Sequence, residues 1–363
     1  MHDPFIAQAP GARRRQQRGL TLVELMIALV IGLLIVAAMS VLFAGSSRSR
    51  QEIESSADVS ENGRYALDTL GRELSQTGFY GSLVLPPAAP ALIPNETLSV
   101  ADAMCLTGSA KLGDWKDYLS YYALGLGSAG IPGGTSSSDA DPSCIAGKRK
   151  AGTDAIFIQR ASTCAVGDPG CAAEVTTDAY LQISECGTEY SVTPLVLGQG
   201  GAGASTFSLH TKGTDGSCGA TLAPKRKLVR RIYYISTADA LSYQDIPLTG
   251  ALPPAVVLVE NIEQMQIEYA FDTVGSGTPD VFAAASNPPP GTPPNTDWAQ
   301  VIGVRVWLLA RSADPSRNTK NAADFVLGGD TTFRVDANPA GNLKRRVYSS
   351  YISFVTPKSR RES

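Results

Sequence analysis

One carboxylate in this chain stands where a carboxylate is costly. Glu24 is the single charge in the apolar run Leu20–Ala44, LTLVELMIALVIGLLIVAAMSVLFA. A charged side chain deep in an apolar helix costs about 2.5–3.5 kcal/mol on insertion scales, so it needs a partner or a task. Glu24 lies one helical turn from the start of the run. There it complements unpaired N–H groups and the positive end of the helix dipole. Gly19 stands just before the run, and Arg13, Arg14, Arg15 and Arg18 stand before that.

Other chemistry is sparse. The histidines are His2 and His210, too few for a His-rich metal site and a poor basis for catalysis. No GxSxG elbow, HExxH helix or P-loop is present, and carboxylate pairs such as Glu260/Glu263 are routine on surfaces. Cys105, Cys144, Cys164, Cys171, Cys186 and Cys218 all fall in the middle of the chain. An even set outside the cytoplasm reads as disulfides. Cys164 and Cys171 enclose a short loop with Gly167, Pro169 and Gly170, the easiest pair to close; the remaining connectivity stays open. The lack of any CxxC argues against zinc and thioredoxin-like readings. Asp272 and Asp280 are candidate calcium ligands, but Val274 cannot coordinate, so 271–280 reads first as a turn held by Gly275 and Gly277. Lys225–Lys227 with Arg230 and Arg231, and Lys344–Arg346, offer phosphate-binding charge. At a sequence pI of about 5.6 they read as a solvated face or an intersubunit salt-bridge patch.

The elements that position these groups follow from the hydropathy pattern. As a helix, the run of 25 residues is about 37 Å long, enough to span a bilayer with some tilt. The preceding arginines keep that end in the cytoplasm. Polar sequence without proline continues to Thr77, with Ile53, Ala57, Leu67, Leu70 and Leu74 at helical spacing for docking and Gly78 as the stop. Gly32 and Gly45 read as soft points. Beyond it, strands are predicted at Asp154–Arg160, Ala179–Glu185, Ser205–His210, Leu228–Ser236, Ile302–Ala310, Thr331–Asp336 and Val347–Val355, each bounded by turn formers. Leu258–Glu268 fits either a short helix or a strand. Gly- and Pro-rich loops punctuate the chain at 86–94, 125–142, 198–204 and 284–296. Removing residues 1–19, with four arginines and one aspartate, takes the net charge from −3 to −6.

The segment Arg18-Gly19-Leu20-Thr21-Leu22-Val23-Glu24-Leu25 resembles the class III signal of type IV prepilins and secretion pseudopilins. The resemblance implies that prepilin peptidase cuts after Gly19, that Leu20 is N-methylated, and that Glu24 is the assembly carboxylate. Most members have Phe where this chain has Leu20. Three further stretches resemble PilW-type minor pilins: 61–81, 258–269 and 304–312. The fold then expected is α+β and pilin-like, a long N-terminal helix on a β-rich globular domain. The division is a removed leader at 1–19, a transmembrane half at 20–44, an amphipathic half at 45–80 and a periplasmic domain at 81–363. The resemblance implies an inner-membrane, single-pass subunit that later enters a surface fibre and helps initiate it, with a place at the tip. Its partners would be other minor pilins, the major pilin, a tip adhesin, prepilin peptidase and membrane lipid; no cofactor, nucleic acid or enzymatic activity is expected. J-type pseudopilins of type II secretion share the layout and are the alternative; a membrane-anchored periplasmic enzyme or binding protein is the second.

Overall fold

The computed structural model describes Gly19 and residues 21–83, 104–108, 119, 122–127, 141–215, 217–285, 297–316, 323–328, 332–335 and 342–355. The chain divides into two units, Met1–Glu54 and Ser55–Ser363.

In the first unit, helix α1 (Leu22–Ser75, running on into the second unit) carries the apolar span, the one helix among the described residues that is long and apolar enough to cross a membrane. Its side chains from Leu22 to Phe43 are exposed. Gly32 and Gly45, the expected soft points, lie within α1 with nothing within 4 Å of an added Cβ.

In the second unit α1 buries Val59, Gly63, Ala66, Leu70 and Leu74. These recur every three or four residues and make one stripe. Leu70 and Leu74 dock as expected and half-buried Leu67 packs against the same core, whereas Ala57 is exposed. Small residues complete the stripe. A Cβ on Gly63 would collide with the Tyr348 ring, so helix and sheet meet where a side chain is missing. The helix stops as expected, with Gly78 at φ 74°, a conformation glycine adopts without strain.

The strands are β1 (Ala123–Leu126), β2 (Ala155–Ala165), β3 (Ala179–Ile183), β4 (Leu195–Gln199), β5 (His210–Lys212), β6 (Cys218–Leu222), β7 (Lys225–Ile235), β8 (Ala240–Asp245), β9 (Val256–Glu260), β10 (Ile262–Phe271), β11 (Val281–Ala284), β12 (Val301–Arg311), β13 (Ala323–Val326), β14 (Thr332–Val335) and β15 (Arg345–Ser353). A one-turn helix, α2, covers Gly187–Tyr190. A seven-stranded sheet runs β1-β2-β7-β3-β4, with β8 also on β7 and β9 on β8. A four-stranded sheet runs β11-β10-β12-β15; β5-β6 and β13-β14 are separate hairpins. All pairings among the described strands are antiparallel, so none requires a crossover of the parallel kind.

Strand β7 organises the larger sheet. One edge pairs with β2 over most of its length; the other meets β3 at Lys225–Lys227 and β8 at Arg231–Ile235. Asp154 ties the two sheets: its backbone N–H donates to Met265 O at 2.9 Å, and its Oδ2 accepts from Ile267 N at 2.7 Å. Glu73 of α1 accepts hydrogen bonds from Arg160, Arg231 and Tyr233 at 3.2, 3.4 and 3.1 Å, fixing the end of the helix to β2 and β7.

Two strand expectations change. Leu258–Glu268 is two strands, broken at Asn261, whose φ of 61° turns the chain. Ser205–His210 is mainly a turn: Gly203 O accepts from both Thr206 N and Phe207 N, and β5 starts only at His210. Phe207 and Leu209 are buried, so their apolar character reflects core packing and not strand pairing. The expected loop 86–94 lies outside the described residues, as do 128–140 and 286–296.

The Gly63 contact gives a test. Gly63→Ala should destabilise the protein by about 1–3 kcal/mol through overpacking. In denaturant unfolding, adding Tyr348→Ala should make the double variant's loss clearly less than the sum of the singles.

Candidate assembly and processing site

The start of α1 has a defined hydrogen-bond pattern. Thr21 precedes the first helical residue, and its hydroxyl accepts from Glu24 N at 3.3 Å. Glu24 Oε2 in turn accepts from Thr21 N and from Thr21 Oγ1, both at 3.0 Å. This is a reciprocal capping box, satisfying backbone donors the helix cannot pair itself. Thr21 was not singled out among the sequence candidates. The signal was there, as Thr-x-x-Glu immediately ahead of an apolar run. Leu25 N then donates to Thr21 O at 3.1 Å, the first turn of the ladder. Ser40, the polar residue further along the span, donates to Val36 O at 2.8 Å.

Gly19 is exposed, and a Cβ built there meets nothing within 4 Å. The local fold therefore does not demand glycine at this position. Leu20 lies outside the described residues. So Gly19, Thr21 and Glu24 fall together by proximity along the chain, and Glu24's carboxylate is anchored to the residue one step past the expected cut.

The six cysteines pair as Cys105–Cys144, Cys164–Cys171 and Cys186–Cys218. The short loop closes on itself, and the other two bridges hold together segments 39 and 32 residues apart. The loop from 271 to 280 is internally bonded. Asp272 accepts from Ser276 N and Gly277 N, both at 2.9 Å, and Asp280 accepts from the Thr273 N–H and hydroxyl. The Thr273 hydroxyl, then its N–H, holds Asp280 below the ordinary aspartate range. Both carboxylates thus close a turn, which makes them poor free ligands for a cation.

The basic clusters make pairs within the chain. Lys225 meets Glu174 and Lys227 meets Asp178, each at 2.7 Å; Arg231 meets Asp245 at 2.6 Å. Arg345 grips Glu263 through two nitrogens in a nearly buried pair, and Lys344 donates to Ser56 at 2.8 Å. Within the chain these charges serve the fold. Of the pair Glu260/Glu263, Glu263 is therefore consumed structurally. His210, which the sequence left without partners, sits with Nδ1 2.6 Å from Glu189 Oε1.

Comparison with known proteins decides the reading. Residues 14–40 match the family model described as the prokaryotic N-terminal methylation motif. Residues 232–355, from within β7 to the end of β15 and so including the whole four-stranded sheet, match Type IV Pilus-assembly protein W. The chain is similar to PilW-type minor pilins over these two stretches. Its fold is the pilin-like α+β arrangement, and its apolar helix anchors it in the inner membrane before it is assembled into a surface pilus. No curated protein matches the sequence. A solved structure, the type IV-like pilin TTHA1219 from Thermus thermophilus, is 11% identical, covers 82% of this pilin and 97% of its own chain, and superposes with a TM-score of 0.33, too loosely to argue from.

Glu189 gives a pH test in the pilin's outer domain. The His210 N–H, then the His210 ring, hold its carboxyl below the ordinary glutamate range. A lowered folded value adds stability above the unfolded pKa and loses it as pH falls through the folded one. Urea midpoints should therefore drop between roughly pH 5 and pH 2, and Glu189→Gln should flatten part of that drop while leaving the curve above pH 6 nearly parallel.

Proposed function

We propose that this minor pilin helps initiate type IV pilus assembly after processing at the N-terminus. Prepilin peptidase removes residues 1–19 by cutting between Gly19 and Leu20, and Leu20 is then N-methylated. Residues 20–44 cross the inner membrane, residues 45–80 form the amphipathic half of the helix, and 81–363 form the periplasmic domain. Glu24 is the assembly carboxylate. The role is structural and not enzymatic, the disulfides brace the exported domain, and a place at the fibre tip beside a tip adhesin follows from a priming role. Other minor pilins and the major pilin are the partners.

The observation that carries this reading is the capping box at the head of an otherwise apolar helix. Among the described residues, Glu24 bonds to Thr21, a neutral partner. Cleavage one residue upstream of Thr21 creates a cation within one helical turn. A charged donor binds a carboxylate about twice as strongly as a neutral one. In a bundle of such helices, the amine of an adjacent subunit competes for the same oxygen and fixes the stagger. That Gly19 has open space around it supports a requirement imposed by the peptidase and not by the fold.

Mass spectrometry of the mature protein should find methyl-Leu20 at the N-terminus; a retained leader, or a cut near Ser40, sinks the reading. Glu24→Ala should leave membrane insertion and cleavage intact while reducing pilus number at least several-fold by electron microscopy. Wild-type pilus counts in that variant would remove Glu24 from the assembly role.

A further inference from the structure

Strand β9 is an outer strand of the seven-stranded sheet and pairs, among the described strands, with β8 alone. Val256 and Val257 point to opposite faces, yet both are exposed, at 42% and 54%. Leu252, in the loop just before, is also exposed, whereas Val259 is anchored in the core. Glu260 is exposed and makes no ion pair or side-chain hydrogen bond among the described residues. The other outer strands are protected. β1 is buried throughout, Phe207 packs on β4 at Gly198, Arg305 lies 4.5 Å over the exposed Phe282 ring of β11, and β15 opens with Arg345 and Arg346. Covered edges and edge charges keep a sheet from pairing with other chains. From Val256 to Val259, β9 has no charge, no proline and no cover among the described residues. A register shift beside Leu258 is its one irregularity, and Val256 and Val257 remain paired with Tyr243 and Ser242.

We infer that β9 takes an added strand from a different pilin subunit, an extended segment that is apolar beside Val256 and Val257 and carries a Lys or Arg against Glu260. This rests on the reading that the chain enters a pilus as a structural subunit. An open strand edge calls for alternating N–H and C=O groups in extended spacing. Another polypeptide strand supplies them, and a lipid, a glycan or a nucleic acid does not. The main chain then provides the affinity, and the side chains choose the partner. Charge decides against a second copy of β9. Two copies paired antiparallel about Leu258 set each Glu260 opposite the other's Val256, so neither carboxylate gains a cation. Paired parallel and in register, they bring two carboxylates side by side, which is destabilising. A different strand that ends in a cation satisfies both the valines and Glu260. The contact is then heterologous, the kind that builds open filaments instead of closed dimers.

The test uses the full chain in cells that assemble it, with the photo-crosslinker p-benzoylphenylalanine placed at Val257. The control position is Val192, 83% exposed in the loop between α2 and β4. In sheared pili, position 257 should join this chain to a different pilin subunit, within a strand segment that carries Lys or Arg by peptide mass spectrometry. Position 192 should give much less of that product. Val257→Lys, which charges the edge, and Glu260→Lys, which reverses its charge, should each lower the amount of this chain in sheared pili several-fold. Their urea midpoints and methyl-Leu20 should stay as in the wild type. Changing the cross-linked cation to Glu should restore incorporation of the Glu260→Lys chain. Cross-links from 257 to a second copy alone, or no more than from 192, overturn the inference. So do wild-type amounts of both Lys variants in the pili. A wild-type chain absent from sheared pili instead overturns the assembly reading, and the inference with it.

Discussion

The outer domain depends on a helix being able to approach a sheet closely. On α1 that approach is made by Gly63 and Ala66, with Val59, Leu70 and Leu74 extending the stripe. Tyr348 occupies the space left by the missing Cβ of Gly63, which places α1 against β15 of the four-stranded sheet. Glu73, further along the same helix, is held by Arg160, Arg231 and Tyr233 of the seven-stranded sheet. One helix therefore touches both sheets, by packing at one point and by charge at another. The main hydrophobic core runs continuously from this helix through both sheets.

The membrane half of the helix obeys the opposite rule. Between Leu22 and Phe43 its large apolar side chains are exposed. Such a surface is stable only in lipid or against other helices of the same kind, and a pilin uses both in turn. Within lipid any polar group must find an internal partner. Ser40 finds one in Val36 O, and Glu24 finds one in Thr21. The difference is that Glu24's partner is a neutral group, weaker for a carboxylate than a charged donor.

Much of this was legible in the residues. The apolar run, its arginine flank, Gly19 and Glu24 are contiguous, and contiguous signals survive without knowledge of the fold. The helix stop at Gly78 and most strand positions in 154–236 and 302–353 were visible from local pattern for the same reason. Leu258–Glu268 was ambiguous because its break rests on one residue, Asn261, adopting a left-handed conformation. Gly63 escaped notice because hydrophobicity gives a glycine no weight, while close packing selects it. Ser205–His210 misled because a buried Phe207 in a turn has the same composition as one in a strand.

The sequence by itself determined the apolar helix, its arginine flank and the single carboxylate near its start, since these depend on neighbours along the chain. Tertiary structure decided which cysteines join, which acids neutralise Lys225, Lys227, Arg231 and Arg345, and that His210 meets Glu189 beside a disulfide. Those outcomes depend on antiparallel pairings between strands far apart in sequence. Their register is set by the whole core at once, so no local spacing encodes it.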